Sequence, residues 1–283
     1  MLAAGLLPEP GKVEELFSPL GAMWGVRHGA MDTAALFFLV LLRWFAIVAF
    51  CPFFGGRLVP GPVKMGLAFL MAWFCVPSVS QLIAVPLGLS ALGWWVAALH
   101  EITLGLLIGF GSSLVFLAAT MAGEFLDSAR GTLAANMLVP QLQVQTTLLG
   151  DFYFQLFVVL YLLMGGHIFF LGAVLDSFSF FPPTGTLPAA GLVHESFVRM
   201  AVSMFGIMVK VVAPALLVVL LTDIVLGVAN RMAPQLDVFF MGLGLKPALA
   251  LTAVALSLGS LVGIAPEIFR GFHLWIGTWL RHG

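Results

Sequence analysis

Charge is what this chain has least of. Asp, Glu, Lys and Arg make up 9% of its 283 residues, where a soluble domain carries about 25%. Apolar side chains fill the gap at 61%, and mean hydropathy reaches +1.11. An ordinary soluble domain is excluded, and a membrane protein is indicated. A formal net charge of -1 leaves no basic surplus for nucleic acid. Cysteine is scarce too. Cys51 and Cys75 stand apart in apolar runs, without metal-ligand spacing, and read as small buried hydrophobes. His-Glu-x-x-His, Gly-x-Ser-x-Gly and a glycine-rich phosphate loop are all missing. The chain therefore reads as a non-enzyme without cofactor or metal. The opening "MLAAGLLPEPGKVEE" lacks the basic start and long apolar core of a secretory signal peptide.

What is present is a succession of apolar runs, near 34–54, 65–86, 91–127, 148–175, 200–229 and 247–280. Runs near 20 residues suit helices crossing a hydrocarbon layer of ~30 Å, whereas barrel strands would be ~10 residues long and alternating. The expected fold class is all-α integral membrane, with about six long hydrophobic helices, one or two of them overlong. The breaks carry turn chemistry: "CPFFGGRLVPGPVK" (51–64), "PSVSQLIAVPLG" (77–88) and "SFSFFPPTGTLP" (177–188). Residues 34–283 form one expected membrane domain. Residues 1–33 lie outside it and read equally as an amphipathic helix around "VEELF" or a disordered tail. Arg57 and Lys64 fall in the first loop, Arg130 in the third, and Arg231 and Lys246 in the fifth. By the positive-inside rule these loops are expected in the cytoplasm and the N-terminus outside.

A few polar groups interrupt the apolar runs: Arg43, Glu101, Glu124, His167, Lys210 and Asp223. A charge facing lipid at a helix centre costs at least ~2.5–3.5 kcal/mol, so these groups must face protein, a partner subunit or water. Two readings stand. They form buried pairs that fix helix packing, with Asp223 reaching Lys210 or Arg231; or they line a proton or ion path. Their scatter over four of the runs favours packing over a path clustered at midplane breaks. His167, in "GGHIFF", reads as a packed, hydrogen-bonded histidine. "LLGDFYF" (148–154) imitates the Gly-Asp motif of intramembrane aspartyl proteases. That chemistry needs two carboxylates sharing a proton. Residue 148 is Leu where the motif needs Gly, and neither Tyr153 nor Tyr161 precedes an Asp. Asp151 reads instead as a residue near a helix start, favourable to its dipole.

One stretch differs from all the rest. "RGTLAANMLVPQLQVQTTLLGD" (130–151) is polar but uncharged between its end residues, and it lies between two strongly apolar runs. Alone it reads equally as an ordinary wet loop or as a segment with work to do at membrane depth.

Three further stretches carry a resemblance: "LLRWFAIVAFCPFFGGRLVPGPVKMGLAF" (41–69), "AGEFLDSARG" with the later "LLMGGHIFFLGAVLDSF", and "APALLVVLLTDIVLGVANRMAPQLDVFFMGLGLK" (213–246). In this order they resemble the FliR/SctT family of the type III export apparatus, over about residues 36–265. The block Leu-Gly-x-x-Asn-Arg-x-Ala-Pro-Gln-x-x-Val at 226–238 is the most specific part. "DSARG" and "QTTLLGD" are more similar to the injectisome (SctT) branch than to the flagellar (FliR) one, whose Asp-Pro marker is replaced here by Val139-Pro140.

The resemblance implies a fold and a role. The helices would be bent hairpins in a helical export-gate assembly with FliP/SctR-like and FliQ/SctS-like membrane subunits, and with a FlhB/SctU-like subunit. Unfolded exported proteins would pass through it, membrane lipid would surround it, and nucleic acid would have no part. The bacterial inner membrane would be its location. Glycines 105, 109, 111 and 123 would let helices approach closely. The loop with Arg130, Gly131, Asn136, Met137, Pro140, Gln141, Gln143 and Gln145 would be a plug in the closed channel. Asn230, Arg231, Met232, Ala233, Pro234 and Gln235 would form a partner or gate contact at a hairpin tip, with Pro234 ending a helix and Asn230 capping its carbonyls. The competing class is a secondary transporter of small solutes, which calls for an inverted repeat that the sequence does not display.

Overall fold

A computed structural model describes residues 30–55, 59–82, 90–130, 147–183, 190–233, 235 and 238–282. All regular structure among them is helical. The helices are α1 (Ala30–Phe50), α2 (Pro52–Gly55), α3 (Gly61–Ser80), α4 (Ala91–Ala129), α5 (Leu148–Leu163), α6 (Gly166–Phe180), α7 (Ala190–Met232) and α8 (Val238–His282). By length and composition four stretches are long and apolar enough to cross a membrane: Asp32–Phe50, Gly61–Ser80, Leu92–Ala129 and Phe197–Met232. Two bent pairs, Leu148–Leu163 with Gly166–Phe180 and Gly244–Gly259 with Leu261–Thr278, bring the number to 6 if each is one span. The all-α membrane class therefore stands. The amphipathic helix or tail considered for the N-terminal residues lies outside the described chain.

Several boundaries depart from the sequence reading, for local reasons. The run 148–175 is broken: α5 and α6 meet at a bend of 76°. Gly165 adopts φ 72° there, a conformation that glycine reaches without a Cβ penalty. The amide of Gly165 bonds the carbonyl of Leu162 at 3.1 Å, and that of Met164 bonds Leu160 at 3.0 Å. Helix α6 then continues to Phe180 and takes in the start of the expected loop 177–188. Lys64 and Lys246, assigned to loops by their charge, both lie in helices, so the fifth loop shrinks to the few residues after Met232. Lys64 sits in the first turns of α3, after Pro60 and Pro62, which need no helical amide partner.

The helices fall into two compact units. One draws on residues 1–113, 168–196 and 275–283, the other on 114–167 and 197–274. In the first unit α1 packs along α3. Leu36, Leu39, Val40, Trp44 and Ile47 of α1 are buried at helical spacing, and α3 answers with Ala68, Ala72, Cys75, Val76 and Val79. Lipid offers apolar side chains no less than protein does, so close van der Waals fit rather than water exclusion holds such helices together. The α1–α4 crossing shows it. A Cβ on Gly105 would lie 2.5 Å from the Arg43 carbonyl oxygen, and one on Gly109 would lie 3.0 Å from that of Ile47. The register advances along both helices together, so they run in the same direction here.

In the second unit the core is aromatic. Tyr161 packs edge-on against Phe116 and Phe269, with centroids 5.5 and 5.0 Å away. Phe157 joins Phe269 at 6.0 Å, and the Tyr161 hydroxyl meets His273 Nε2 at 3.2 Å. Such ring pairs add about 0.5–1.5 kcal/mol each beyond their area and fix ring orientation.

Gly105 and Gly172 provide a matched test of the packing argument, because a Cβ on Gly172 would meet nothing within 4 Å. Gly105→Ala is expected to cost ~1–3 kcal/mol through forced separation of α1 and α4. Gly172→Ala is expected to be neutral or stabilising by up to ~1 kcal/mol. Unfolding midpoints of the two detergent-extracted variants check this; equal midpoints would refute the close crossing.

Candidate functional site

Among the described residues the most densely bonded polar group is Arg43, in the middle of α1 and fully buried. Its guanidinium takes a fork on Glu101 of α4: Nε donates to Oε2 at 2.6 Å and Nη2 to Oε1 at 2.8 Å. Nη1 donates to Ser177 Oγ at 3.0 Å, and Nη2 also donates to the Phe181 carbonyl at 2.7 Å, at the end of α6. The Phe178 ring lies 4.0 Å from the guanidinium carbon. His100 Nδ1 stands 3.3 Å from Glu101 Oε1. Three helices are thus joined through one planar cation, a role Lys cannot fill because it has no fork. Removing one partner of such a pair costs ~3–5 kcal/mol, because the other charge stays buried and unpaired. Sequence reasoning singled out Arg43 and Glu101 separately, as residues of different runs; the fold brings them together. It did not single out Ser177 or the Phe181 carbonyl, since nothing in sequence marks a backbone acceptor.

A second polar cluster sits where α4 ends and α5 begins. Asp127 is 3% exposed. Its Oδ2 accepts the amide of Leu149 at 3.0 Å, and its Oδ1 pairs with Arg130 at 2.5 Å, one turn further along. Thr147, at the N-cap of α5, makes no side-chain cap bond. Asp127 therefore supplies the cap from 22 residues upstream, placing negative charge at the positive end of α5. Two glycines permit the approach. A Cβ on Gly123 would collide with the backbone of Leu149 and Gly150, and one on Gly150 would lie 3.0 Å from Glu124 Cγ and 2.5 Å from Thr147 Oγ1. One carboxylate thus holds both stems of the segment 131–146.

Of the eight residues expected in that loop, Arg130 is buried against Asp127. Gly131, Asn136, Met137, Pro140, Gln141, Gln143 and Gln145 lie outside the described residues. Asp127 was passed over in sequence, although the Asp-x-x-Arg spacing of "DSAR" is the signal for a pair one turn apart. Asp151 falls in the first turn of α5 and is exposed.

The third region is the tip between α7 and α8. Asn230 and Arg231 lie inside the last turn of α7, which runs to Met232, and the Ala233 amide still bonds Ala229 at 2.9 Å. Asn230 is therefore a helical residue rather than a cap. Arg231, Met232 and Gln235 are exposed and Ala233 is half-buried; Pro234 lies outside the described residues. Arg231 adds positive charge at the negative end of the helix dipole. Asp223 does not reach Lys210 or Arg231. These lie 13 and 8 positions away on the same continuous helix, roughly 20 and 12 Å along its axis. Asp223 pairs with Lys246 of α8 instead, tying the two helices below the tip.

The remaining polar positions do not converge. Glu124 and Lys210 are exposed, and His167 is half-buried with Nδ1 enclosed and without a hydrogen-bond partner. Among the described residues no three or more His, Cys, Asp or Glu side chains lie close enough to hold a metal ion. The arrangement consists of helix clamps, a carboxylate cap at the start of α5 and an exposed end of α7.

Comparison with known proteins agrees with this architecture. Residues 34–272 match the family model described as bacterial export proteins, family 1. The chain belongs to that family, the FliR/SctT membrane proteins of the type III export apparatus. The family is non-enzymatic and resides in the inner membrane. The flagellar biosynthetic protein FliR of Bacillus subtilis is 28% identical over 248 residues, 86% of this chain and 93% of that protein. The secretion system apparatus protein SsaT of Salmonella typhimurium is 30% identical over 168 residues, covering 58% and 63%. The Yop proteins translocation protein T of Yersinia pestis is 29% identical over 217 residues, covering 75% and 81%. FliR/SctT membership is thus common ground between the two branches. The lean toward the injectisome is not upheld by these matches, since the flagellar relative covers more of the chain at similar identity.

The FliR/SctT loop clamp has a local readout. Asp127→Ala orphans the Leu149 amide and leaves Arg130 buried without its carboxylate, at a cost of ~3 kcal/mol. Each 1.4 kcal/mol is tenfold in an equilibrium, so amide exchange at Leu149 and Gly150 is expected to quicken by ~100-fold. Exchange across the α1–α4 crossing is expected to hold. Uniform acceleration through the chain, or none at Leu149, would show that Asp127 does not hold the stems.

Proposed function

We propose that this chain is a structural subunit of a type III export gate, and that it helps build and seal a narrow channel for unfolded proteins. The observation that carries the reading is the clamp at Asp127. It holds the two ends of a 16-residue segment, 131–146, that contains no Asp, Glu, Lys or Arg. A loop with fixed stems and a neutral, amide-rich body suits a plug. Irregular backbone at membrane depth survives only where protein or water satisfies its N–H and C=O groups, and the Asn and Gln side chains supply such partners. An uncharged plug discriminates against substrates of neither sign. Its amide contacts, at about 0.5–1.5 kcal/mol each, are weak enough to yield when substrate arrives.

The same reading gives the other features a place. FliP/SctR-like, FliQ/SctS-like and FlhB/SctU-like subunits are the proposed neighbours, and the exposed tip at Asn230, Arg231 and Gln235 is a proposed contact with them. The "DSARG" and "QTTLLGD" motifs support an injectisome role, while the coverage by flagellar relatives supports a flagellar one. The sealing function is the same in both. No described cluster resembles a nucleotide site, so the energy for transport is assigned to other components.

The plug makes a specific prediction. Deleting within 134–143, or changing Gln141, Gln143 and Gln145 together to Gly, is expected to leave the complex assembled, because the helices on either side carry the packing. The seal is expected to fail. Ion or dye permeability of cells should rise with the deletion, and only when the partner subunits are present, since no single chain encloses the pore. An intact complex with unchanged permeability would return 131–146 to an ordinary solvated loop.

A further inference from the structure

The break between α5 and α6 is exposed on one side and held on the other. Leu163, Met164, Ile168 and Phe169 around it are exposed. Gly166 is buried, and a Cβ there would collide with the ring of Tyr161. That ring is boxed in by Phe116 and Phe269, and its hydroxyl meets His273 Nε2 at 3.2 Å. The His273 ring also donates to the backbone carbonyl of Gly166. One imidazole, on the later arm of α8, thus touches both sides of the bend: the last turn of α5 and the first residue of α6. Tyr161, Gly166 and His273 all belong to the second unit.

The place of this network in the chain gives it a role. The start of α5 is fixed by the Asp127 cap. The far end of α6 is fixed by the bonds from Arg43 to Ser177 and to the Phe181 carbonyl. Between these two anchors the backbone freedom is concentrated at Gly165, with its φ of 72°, and at Gly166. Hinges are built from a few such element-terminal residues, which absorb large dihedral changes. Two glycines tolerate many angles, so the observed 76° is set by what their neighbours touch. Both polar contacts described above run through His273. In apolar surroundings no water replaces a lost partner, so hydroxyl, imidazole and carbonyl stay together only while the bend keeps its angle. The chain leaves the unit just beyond the network, after His167 and again after Leu274, so one side chain ties both departures.

We propose that Tyr161, Gly166 and His273 form a latch on a hinge at Gly165. With the latch closed, the α5–α6 bend is held at one angle. With it broken, the bend takes a range of angles while the Asp127 and Arg43 anchors hold. His273 is a positioning residue that acts through the hydroxyl of Tyr161 and the backbone of Gly166. The latch goes beyond the reading of the chain as an export-gate subunit and does not depend on it.

The test uses the full chain, co-expressed with its membrane partner subunits and extracted in mild detergent. Spin labels go on Val159 and Leu175, which are exposed on either side of the bend. The unaltered chain is expected to give one narrow distance distribution. His273→Phe keeps a ring but loses both bonds, and Tyr161→Phe loses only the hydroxyl. Each is expected to widen the distribution about twofold and to quicken amide exchange over 160–168 about tenfold, with exchange at Leu149 changed less than about twofold. His273→Gln, whose amide both donates and accepts, is expected to recover most of the narrow distribution. Tyr161→Phe carries the test if His273→Phe does not accumulate. An unchanged distribution in either Phe variant would overturn the latch. So would a Gln variant as broad as the Phe variant. Exchange at Leu149 rising in step with that over 160–168 would overturn it too, since the whole unit would then be loosened and not the hinge alone.

Discussion

A guanidinium with no path to water sets the terms for the first unit. Arg43 lies on a helix whose other buried positions, Thr33 apart, are apolar, and in that setting an unpaired cation is not tolerated. Its five N–H donors fix what must surround it: both oxygens of Glu101, the Ser177 hydroxyl and the Phe181 carbonyl. Those partners sit on α4, on α6 and just past the end of α6, so the position of three helices follows from one side chain. The close crossing at Gly105 and Gly109 belongs to the same constraint. The fork reaches Glu101 with ideal length only if α1 and α4 nearly touch, and only residues without a Cβ allow that.

The second unit repeats the logic with an acid. Asp127 is enclosed, and the groups that satisfy it are the first amides of α5 and the guanidinium of Arg130. The cost of enclosing a carboxylate is offset by placing it at a helix N-terminus and beside a cation. The consequence reaches beyond packing, because those two contacts are also the two stems of 131–146. A packing solution and a functional position coincide.

The sequence made some of this legible and hid the rest. Helix type and the approximate number of spans followed from apolar runs near 20 residues, because composition alone decides what can live in lipid. The polar interruptions were visible as anomalies, since a charge in an apolar run must have a reason. Their partners were not visible: Arg43 and Glu101 are 58 residues apart, and periodicity says nothing about which helices become neighbours. Asp223 was paired on paper with residues of its own helix because the turn was placed too broadly; with α8 starting at Val238, Lys246 comes within reach. Gly165 broke a run that looked continuous, because a single left-handed residue outweighs apolar content in setting a bend. Asp127 was legible only in part: the spacing of "DSAR" marks its pair with Arg130, but its other partner is the backbone amide of Leu149, which has no letter in the sequence.

Internal satisfaction is only half of the account. Large apolar side chains such as Leu256, Met232 and Leu163 stand exposed, and the α7 and α3 spans are each only 33% buried within the chain. Such surface needs lipid or other subunits to cover it. The most direct measurement is the state of the purified protein with and without its membrane partners, by size-exclusion chromatography and thermal unfolding in mild detergent. Alone it should aggregate or unfold at low temperature, and with the partners it should elute as one stable complex. A monodisperse, long-lived monomer that gains nothing from its partners would contradict the account.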